Sequence, residues 1–171
     1  MSDVRVRAAV EADLPAVKAI YDVQVAGRIA TFDLEPPPLS YWSARLASEA
    51  RGDHLLVAVD GTLSGSDDVL GYAYSSSYRP RPAYDRTREV SVYLADGARG
   101  RGLGRALYDD LLARLADDDV HTVLAVVALP NPASEALHRA CGFERVGVLP
   151  EVGHKLGRRI DTALYARVLA G

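Results

Sequence analysis

Residues 89–104 constrain this chain more than any other stretch. The alternating run Glu-Val-Ser-Val-Tyr-Leu leads into Arg99-Gly-Arg-Gly-Leu-Gly104, and an amphipathic segment follows directly. A strand, a glycine loop and a helix in immediate succession bring several backbone N–H groups to one point. Gly100, Gly102 and Gly104 let the main chain approach a ligand closely, and the unpaired donors and positive dipole end of the helix favour an anion there. The pattern points to a pyrophosphate cradle and an anionic cofactor. A nucleotide P-loop ends in Gly-Lys-Ser or Gly-Lys-Thr, where this chain has Gly104-Arg105-Ala106. A dinucleotide fingerprint needs G-x-G-x-x-G, whereas these glycines alternate as G-x-G-x-G. An ordinary Gly-rich turn accounts for the six residues equally well.

The 171 residues, 49% of them hydrophobic, suffice for one domain whose core needs no covalent staples. A formal charge of −3 with scattered basic residues gives no footprint for nucleic acid or an anionic membrane, so a small-molecule partner is expected. The single cysteine, Cys141, excludes an intrachain disulfide, and the polar start Met1-Ser-Asp-Val-Arg lacks an apolar signal segment, which predicts a cytoplasmic protein. No apolar run approaches the roughly 20 residues of a membrane helix. His54, His121, His138 and His154 show no ligand spacing, so no metal is expected.

Along the chain, Val4–Ala8 alternates as a strand, and Leu14, Val17, Ile20, Tyr21 and Val25 fall at helical spacing within a helix from Glu11 to about Ala26. Three prolines make residues 31–38 an extended loop before a second helix, Ser40 to Ala50, with Ser40 as N-cap. His54–Val59 and Val69–Ser75 read as strands joined by the polar loop Asp60–Asp68, the best candidate for disorder. Tyr78–Tyr84 is a proline-stiffened loop ahead of the Glu89 strand. Leu103, Ala106, Leu107, Leu111, Leu112 and Leu115 form one helix face, with the acidic run Asp117–Asp119 beyond it as a solvated turn. Thr122–Ala128, apolar on both faces, completes a β-α-β unit as a buried parallel strand. Asn131 caps a helix through Cys141, ended by Gly142. Phe143–Leu149 and about Arg159–Leu169 supply the last strands.

Strand alternation sets Glu89, Ser91 and Tyr93 on one face and Val90, Val92 and Leu94 on the other. A carboxylate on a mostly apolar strand is costly to bury, and burial raises its pKa toward the range of a useful base. The competing structural reading is a salt bridge to Arg86 or Arg88.

Arg99-x-x-Gly102-x-Gly104 resembles the pyrophosphate signature of the GCN5-related N-acetyltransferases. Asn131-Pro-Ala-Ser-Glu-Ala-Leu-His-Arg-Ala-Cys-Gly-Phe143 resembles their second motif, an Asn-capped helix ending in Gly-Phe. Within that superfamily, Thr31-Phe32…Glu35-Pro36, Tyr84-Asp85-Arg86-Thr87-x-Glu89-x-Ser91-Val92-Tyr93, Leu129-Pro130-Asn131, Leu137-His138 and Gly153-His154-Lys155-x-Gly157…Asp161 are similar to the phosphinothricin and methionine sulfoximine N-acetyltransferases, over essentially the whole chain. The resemblance implies an α/β (α+β) fold, with a V-splayed mixed β-sheet flanked by helices and acetyl-CoA in the gap between the Glu89 and Thr122 strands. It also implies a homodimer. Carried over by position, Glu89 is the base that draws the proton from the amine, and the cofactor is held by Val92, Tyr93, Leu94, Arg99, Gly100, Arg101, Gly102, Leu103, Gly104, Arg105 and Asn131. His138 stands where many superfamily members carry a tyrosine that protonates the departing thiolate; a structural histidine is the competing reading.

Phe32, Arg79, Tyr84 and Arg86 are the candidates for the acceptor pocket, since an amino-acid carboxylate calls for an arginine fork. Loop packing and solvated arginine are the alternatives. Cys141 reads as a core residue. Family members often carry tryptophan at the place of Arg159 and glutamine at that of Ala166, so the acceptor or the dimer contact can differ. The expected reaction is acetylation of the α-amine of a small amino acid or analogue. The alternatives are acetylation of a polyamine, an aminoglycoside or a protein N-terminus, or a CoA-binding sensor without turnover.

Overall fold

The computed structural model describes residues 4–61 and 68–169. The centre of the loop expected at Asp60–Asp68 lies outside the described residues. Seven strands form one sheet in the order β1-β2-β3-β4-β5-β7-β6, from β1 (Val4–Ala8), β2 (Leu55–Asp60), β3 (Asp68–Ser77), β4 (Thr87–Leu94), β5 (Thr122–Ala128), β6 (Glu144–Lys155) and β7 (Arg158–Val168). The helices are α1 (Leu14–Gly27), α2 (Leu39–Leu46), α3 (Leu103–Asp117) and α4 (Pro132–Ala140).

All neighbouring strands are antiparallel except β4 and β5. Their crossover is α3, whose Leu107, Leu111 and Leu115 are fully buried against one sheet face with Leu56, Val90 and Val123. Each such leucine contributes about 1.5–3 kcal/mol of transfer free energy. The opposite face packs against α1 and α2 through Val17, Tyr21, Trp42, Val57 and Tyr72. Fully buried Trp42 meets Tyr21 and Tyr72 edge-on, with ring centroids 5.3 and 5.4 Å apart, a favoured aromatic geometry. The β4–β5 ladder contains only Thr87↔Thr122, Arg88↔Val123 and Glu89↔Leu124. Beyond Glu89 the two strands part, which opens a V in the sheet.

Four local expectations need correction. Helix α2 starts at Leu39 with Pro38 as N-cap and stops at Leu46; the rigid extended prolines deliver the chain straight into the helix, leaving Ser40 inside its first turn. Residues 11–13 form a separate 3-10 turn before α1. Strand β6 continues through Pro150 to Lys155, because register irregularities between Leu149 and Gly153 and its place at the sheet edge accommodate a residue without an N–H. The run Asp117–Asp119 is not a merely solvated turn. Asp118 accepts from the Gly52 N–H at 3.1 Å and contacts His54 Nε2 at 2.8 Å, while Asp119 pairs with Arg86 at 2.9 Å.

Candidate functional site

The V holds a cavity of about 350 Å³ walled by β4, the glycine loop, the start of α3, the end of β5 and α4, with Gln24 and Ala30 reaching it from the α1 side. The loop delivers its donors as the sequence suggests. Gly100 and Gly102 adopt φ of +75° and +76°, a left-handed conformation that glycine enters without strain, and a Cβ at either would meet no atom within 4 Å. Open space lies where the cradle requires a ligand. Gly102 is the N-cap of α3 and, lacking a side chain, leaves the first N–H groups of that helix uncapped. Gly104 has a different function: its Cβ would lie 3.0 Å from Leu137 Cδ2, so it permits close packing of α3 on α4. The donor set therefore fits a pyrophosphate.

Val92, Tyr93, Leu94, Arg99, Gly100, Gly102, Leu103, Gly104, Arg105, Asn131 and His138 all line the cavity. Arg101 does not; it forms an ion pair with Asp60 at 3.6 Å. Asn131 caps α4 by accepting from the Ser134 N–H at 3.2 Å.

Glu89 sits at the fork where pairing with β5 ends. It lies outside the cavity wall itself, one same-face position from the lining residue Ser91, roughly 7 Å along the strand. Burial raises its carboxyl pKa above the ordinary 4.5. The salt-bridge reading fails: Arg86 pairs with Asp119, and Arg88 lies buried against Asp53 and the Arg51 carbonyl. Among the described residues Glu89 has no ion-pair or hydrogen-bond partner, so its carboxylate stays available to a ligand.

His138 is buried, and its two nitrogens are engaged. Nδ1 lies 2.7 Å from the Ser134 carbonyl, an acceptor only, so the neutral ring carries its proton there. Nε2 then accepts from the Tyr108 hydroxyl at 3.0 Å. Burial lowers the imidazole pKa, partly offset by the Ser134 carbonyl, and pushes the Tyr108 phenol well up. A neutral His138 held in this way has no free N–H for a thiolate. Tyr108 lines the cavity too and was not among the residues anticipated from sequence; its place four residues after Gly104, hence on the same helix face, is the signal that could have found it.

The four acceptor candidates do not converge on the cavity. The Phe32 ring lies over Gly153 of β6, so closely that a Cβ there would fall 2.4 Å from the ring. Arg79 covers the Tyr78 ring at 5.1 Å, Tyr84 meets the same ring edge-on at 5.4 Å, and Arg86 is turned to Asp119. Lys155, which no sequence argument singled out as a site residue, is buried and donates to the carbonyls of Gln24 at 3.2 Å and Thr31 at 2.8 Å. It thereby ties the segment after α1 to β6. Cys141 is buried in the core with its thiol pKa pushed up by burial, as an unreactive thiol requires.

Comparisons with known proteins agree with this geometry. The profile of the Acetyltransferase (GNAT) family matches residues 17–143. The chain is 43% identical to phosphinothricin N-acetyltransferase of Streptomyces coelicolor over 98% of each chain. It is 39% identical to an L-methionine sulfoximine/L-methionine sulfone acetyltransferase of Pseudomonas aeruginosa, over 91% of this chain and 89% of that one. A crystal structure of a GNAT superfamily phosphinothricin acetyltransferase from Sinorhizobium meliloti, in complex with AcCoA, superposes with a TM-score of 0.90 at 38% identity, covering 99% of this chain and 89% of the other.

Proposed function

Because this chain belongs to the acetyltransferase (GNAT) family, we propose that it transfers the acetyl group of acetyl-CoA to the α-amine of a small amino acid or analogue of the phosphinothricin or methionine sulfoximine type. The observation that carries this reading is the parting of β4 from β5 immediately after Glu89, beside a cradle of uncapped amides.

When bound, acetyl-CoA supplies the activated acyl group. The main chain of residues 100–105 grips its pyrophosphate, and the α4 wall from Asn131 to His138 borders the rest. Glu89, its carboxyl pKa raised by burial and its charge unpaired, takes the proton of the acceptor ammonium directly or through one water. From Val90 onward one edge of β4 no longer pairs with β5, and N–H donors in the Val92–Leu94 stretch meet the negative charge that develops on the acyl oxygen. The amine would attack the thioester carbonyl without an acyl-enzyme, the C–N bond forming as the C–S bond breaks, and the thiol would leave with a proton taken from solvent or from the Tyr108 hydroxyl on the cavity wall. In this reading His138 orients Tyr108 rather than donating a proton itself, since Ser134 holds its one N–H. Phe32 and Lys155 shape the acceptor side from the segment after α1, and the loop before β4, whose Arg79 and Arg86 rest on Tyr78 and Asp119, borders it from the other side.

The 171 residues act as a single cytoplasmic domain, where acetyl-CoA is available. Exposed Val146, Val148, Leu149 and Val152 on the edge strand β6 support a homodimer that covers them. A panel of free amino acids and analogues, assayed with acetyl-CoA and a thiol reagent, tests the reaction. Thiol release that requires the amine, with N-acetylated product by mass spectrometry, is the expected result. Tight CoA binding with no amine-dependent release would mark a sensor instead, and turnover of polyamines or aminoglycosides alone would replace the acceptor class.

A further inference from the structure

We propose that Arg45 of α2 binds the acceptor's α-carboxylate while Glu89 receives its amine, so that the pair selects zwitterionic amino acids over simple amines. The inference rests on the acetyl-transfer reading above and supplies a carboxylate clamp to it.

Trp42, fully buried, anchors α2 on the sheet, and Arg45 follows three residues later, on a neighbouring part of the helix surface. Its guanidinium carbon lies 4.1 Å above the Tyr74 ring centroid and 5.2 Å from that of Tyr41, and Nη2 donates to the Tyr41 hydroxyl at 2.7 Å. Stacking and one hydrogen bond hold the planar group in place. Its charge, however, is unanswered. Among the described residues no carboxylate comes within ion-pair distance of Arg45, and its Nε, removed from solvent, has no acceptor. A buried donor left in that state costs free energy unless a ligand satisfies it.

Glu89 is the matching anomaly. Tyr74 pairs with Ser91, and Glu89 with Ser76, so Tyr74, Ser91 and Glu89 share the sheet face that α2 covers. Both Arg45 and Glu89 act electrostatically on the Tyr74 phenol, with opposite signs. An unpaired cation and an unpaired anion thus flank one ring without pairing with each other. An α-amino acid carries the complementary charges on a single carbon: its carboxylate suits the guanidinium fork and its ammonium suits Glu89. In the loop before β4, Arg79 stacks on Tyr78 and Arg86 is turned to Asp119.

The test uses the full chain and an L-amino acid that the wild type acetylates, beside the methyl ester of that amino acid. The wild type should prefer the free acid. Arg45→Gln should raise the KM of the free acid roughly 10- to 100-fold, erase most of its advantage over the ester, and leave the KM of acetyl-CoA in place. Arg45→Lys, which keeps the charge without the fork, should recover part of the loss and serves as the reading if the glutamine variant does not fold. Equal effects on acid and ester, or a wild type indifferent to the carboxylate, would overturn the clamp and leave Arg45 a packing residue. A wild type that turns over no amino acid at all would instead overturn the acceptor class.

Discussion

Tyr108 in α3 donates its hydroxyl proton to Nε2 of His138 in α4 across 3.0 Å, and the other ring nitrogen of His138 is fixed by the Ser134 carbonyl at 2.7 Å. The two residues form one unit on the cavity wall, so their contributions to turnover should not add. Tyr108→Phe and His138→Gln are each expected to lower kcat with little change in the KM of acetyl-CoA, and the double variant should be about as slow as the worse single one. Steady-state kinetics of the four proteins measures this. Multiplicative losses would dissolve the unit.

Glu89 and His138 should leave opposite marks on stability. The carboxyl pKa of Glu89 is raised in the fold, so its contribution is fully present below the ordinary 4.5 and is lost as pH rises through the higher folded value. At neutral pH the half-buried carboxylate is therefore a liability, and Glu89→Gln should raise Tm at pH 7–8 but not below about pH 4. The imidazole pKa of His138 is lowered from 6.5, so its contribution holds above 6.5 and is lost as pH falls through the lower folded value. His138→Gln should flatten the acid side of the Tm profile. Melting curves across pH decide both.

The same Glu89→Gln variant should lose about 100-fold or more of kcat/KM near neutrality. Acetyl-CoA affinity, which depends on the amides of the glycine loop, should survive. Turnover should recover partly as pH rises, because the acceptor amine then loses its proton to solvent. Calorimetric titration of CoA and a pH–rate profile check these expectations, and wild-type turnover in the variant would remove Glu89 as the base.

What was legible in the sequence was local. The left-handed positions at Gly100 and Gly102 and the Asn131 cap are each specified within a few residues, and the period of α3 reveals its buried face, whereas β5, apolar on both faces and so expected to be buried on both, leaves Val126 exposed. The misread boundaries have local causes as well: a proline as N-cap at Pro38, and a proline tolerated inside an edge strand at Pro150. Contacts across long separations left no such trace. Arg45 meets Tyr74 through the docking of α2 on β3, and Lys155 reaches Thr31 from a strand far along the chain. Arg79 and Arg86 stand close to Glu89 in sequence, yet one stacks on Tyr78 and the other turns to Asp119. Proximity in sequence does not by itself bring these arginines beside Glu89, because alternation fixes a side chain's face only while the strand lasts.

The two glycines of the motif's second half should fail in different ways. Gly102→Val puts a β-branched residue at φ +76°, where only the backbone objects, since its Cβ has open space. A folded protein with CoA binding lost or strongly weakened is expected. Gly104→Val drives its side chain onto Leu137 and separates α3 from α4, so both CoA affinity and Tm should fall. Calorimetry and thermal melts distinguish the two, and unaltered CoA affinity in Gly102→Val would reject the amide cradle.

Lys155 links the acceptor side to the sheet edge. Its ammonium is buried and donates to the carbonyls of Gln24 and Thr31, at the end of α1 and just before Phe32. Lys155→Met keeps the volume of the stem but takes the donor from the Thr31 carbonyl, while the Gln24 carbonyl keeps the Arg28 N–H at 3.2 Å; the loss is about 1–3 kcal/mol where water cannot reach the freed carbonyl. The segment carrying Phe32 should then loosen from Gly153, because the ring contact alone holds it less firmly than the ring and two charged hydrogen bonds together. The acceptor KM is expected to rise while that of acetyl-CoA, bound on the α3–α4 side, stays in place. Denaturant unfolding gives the stability change and two-substrate kinetics the division between the KM values; a rise in both would mean that Lys155 supports the whole V rather than its acceptor arm.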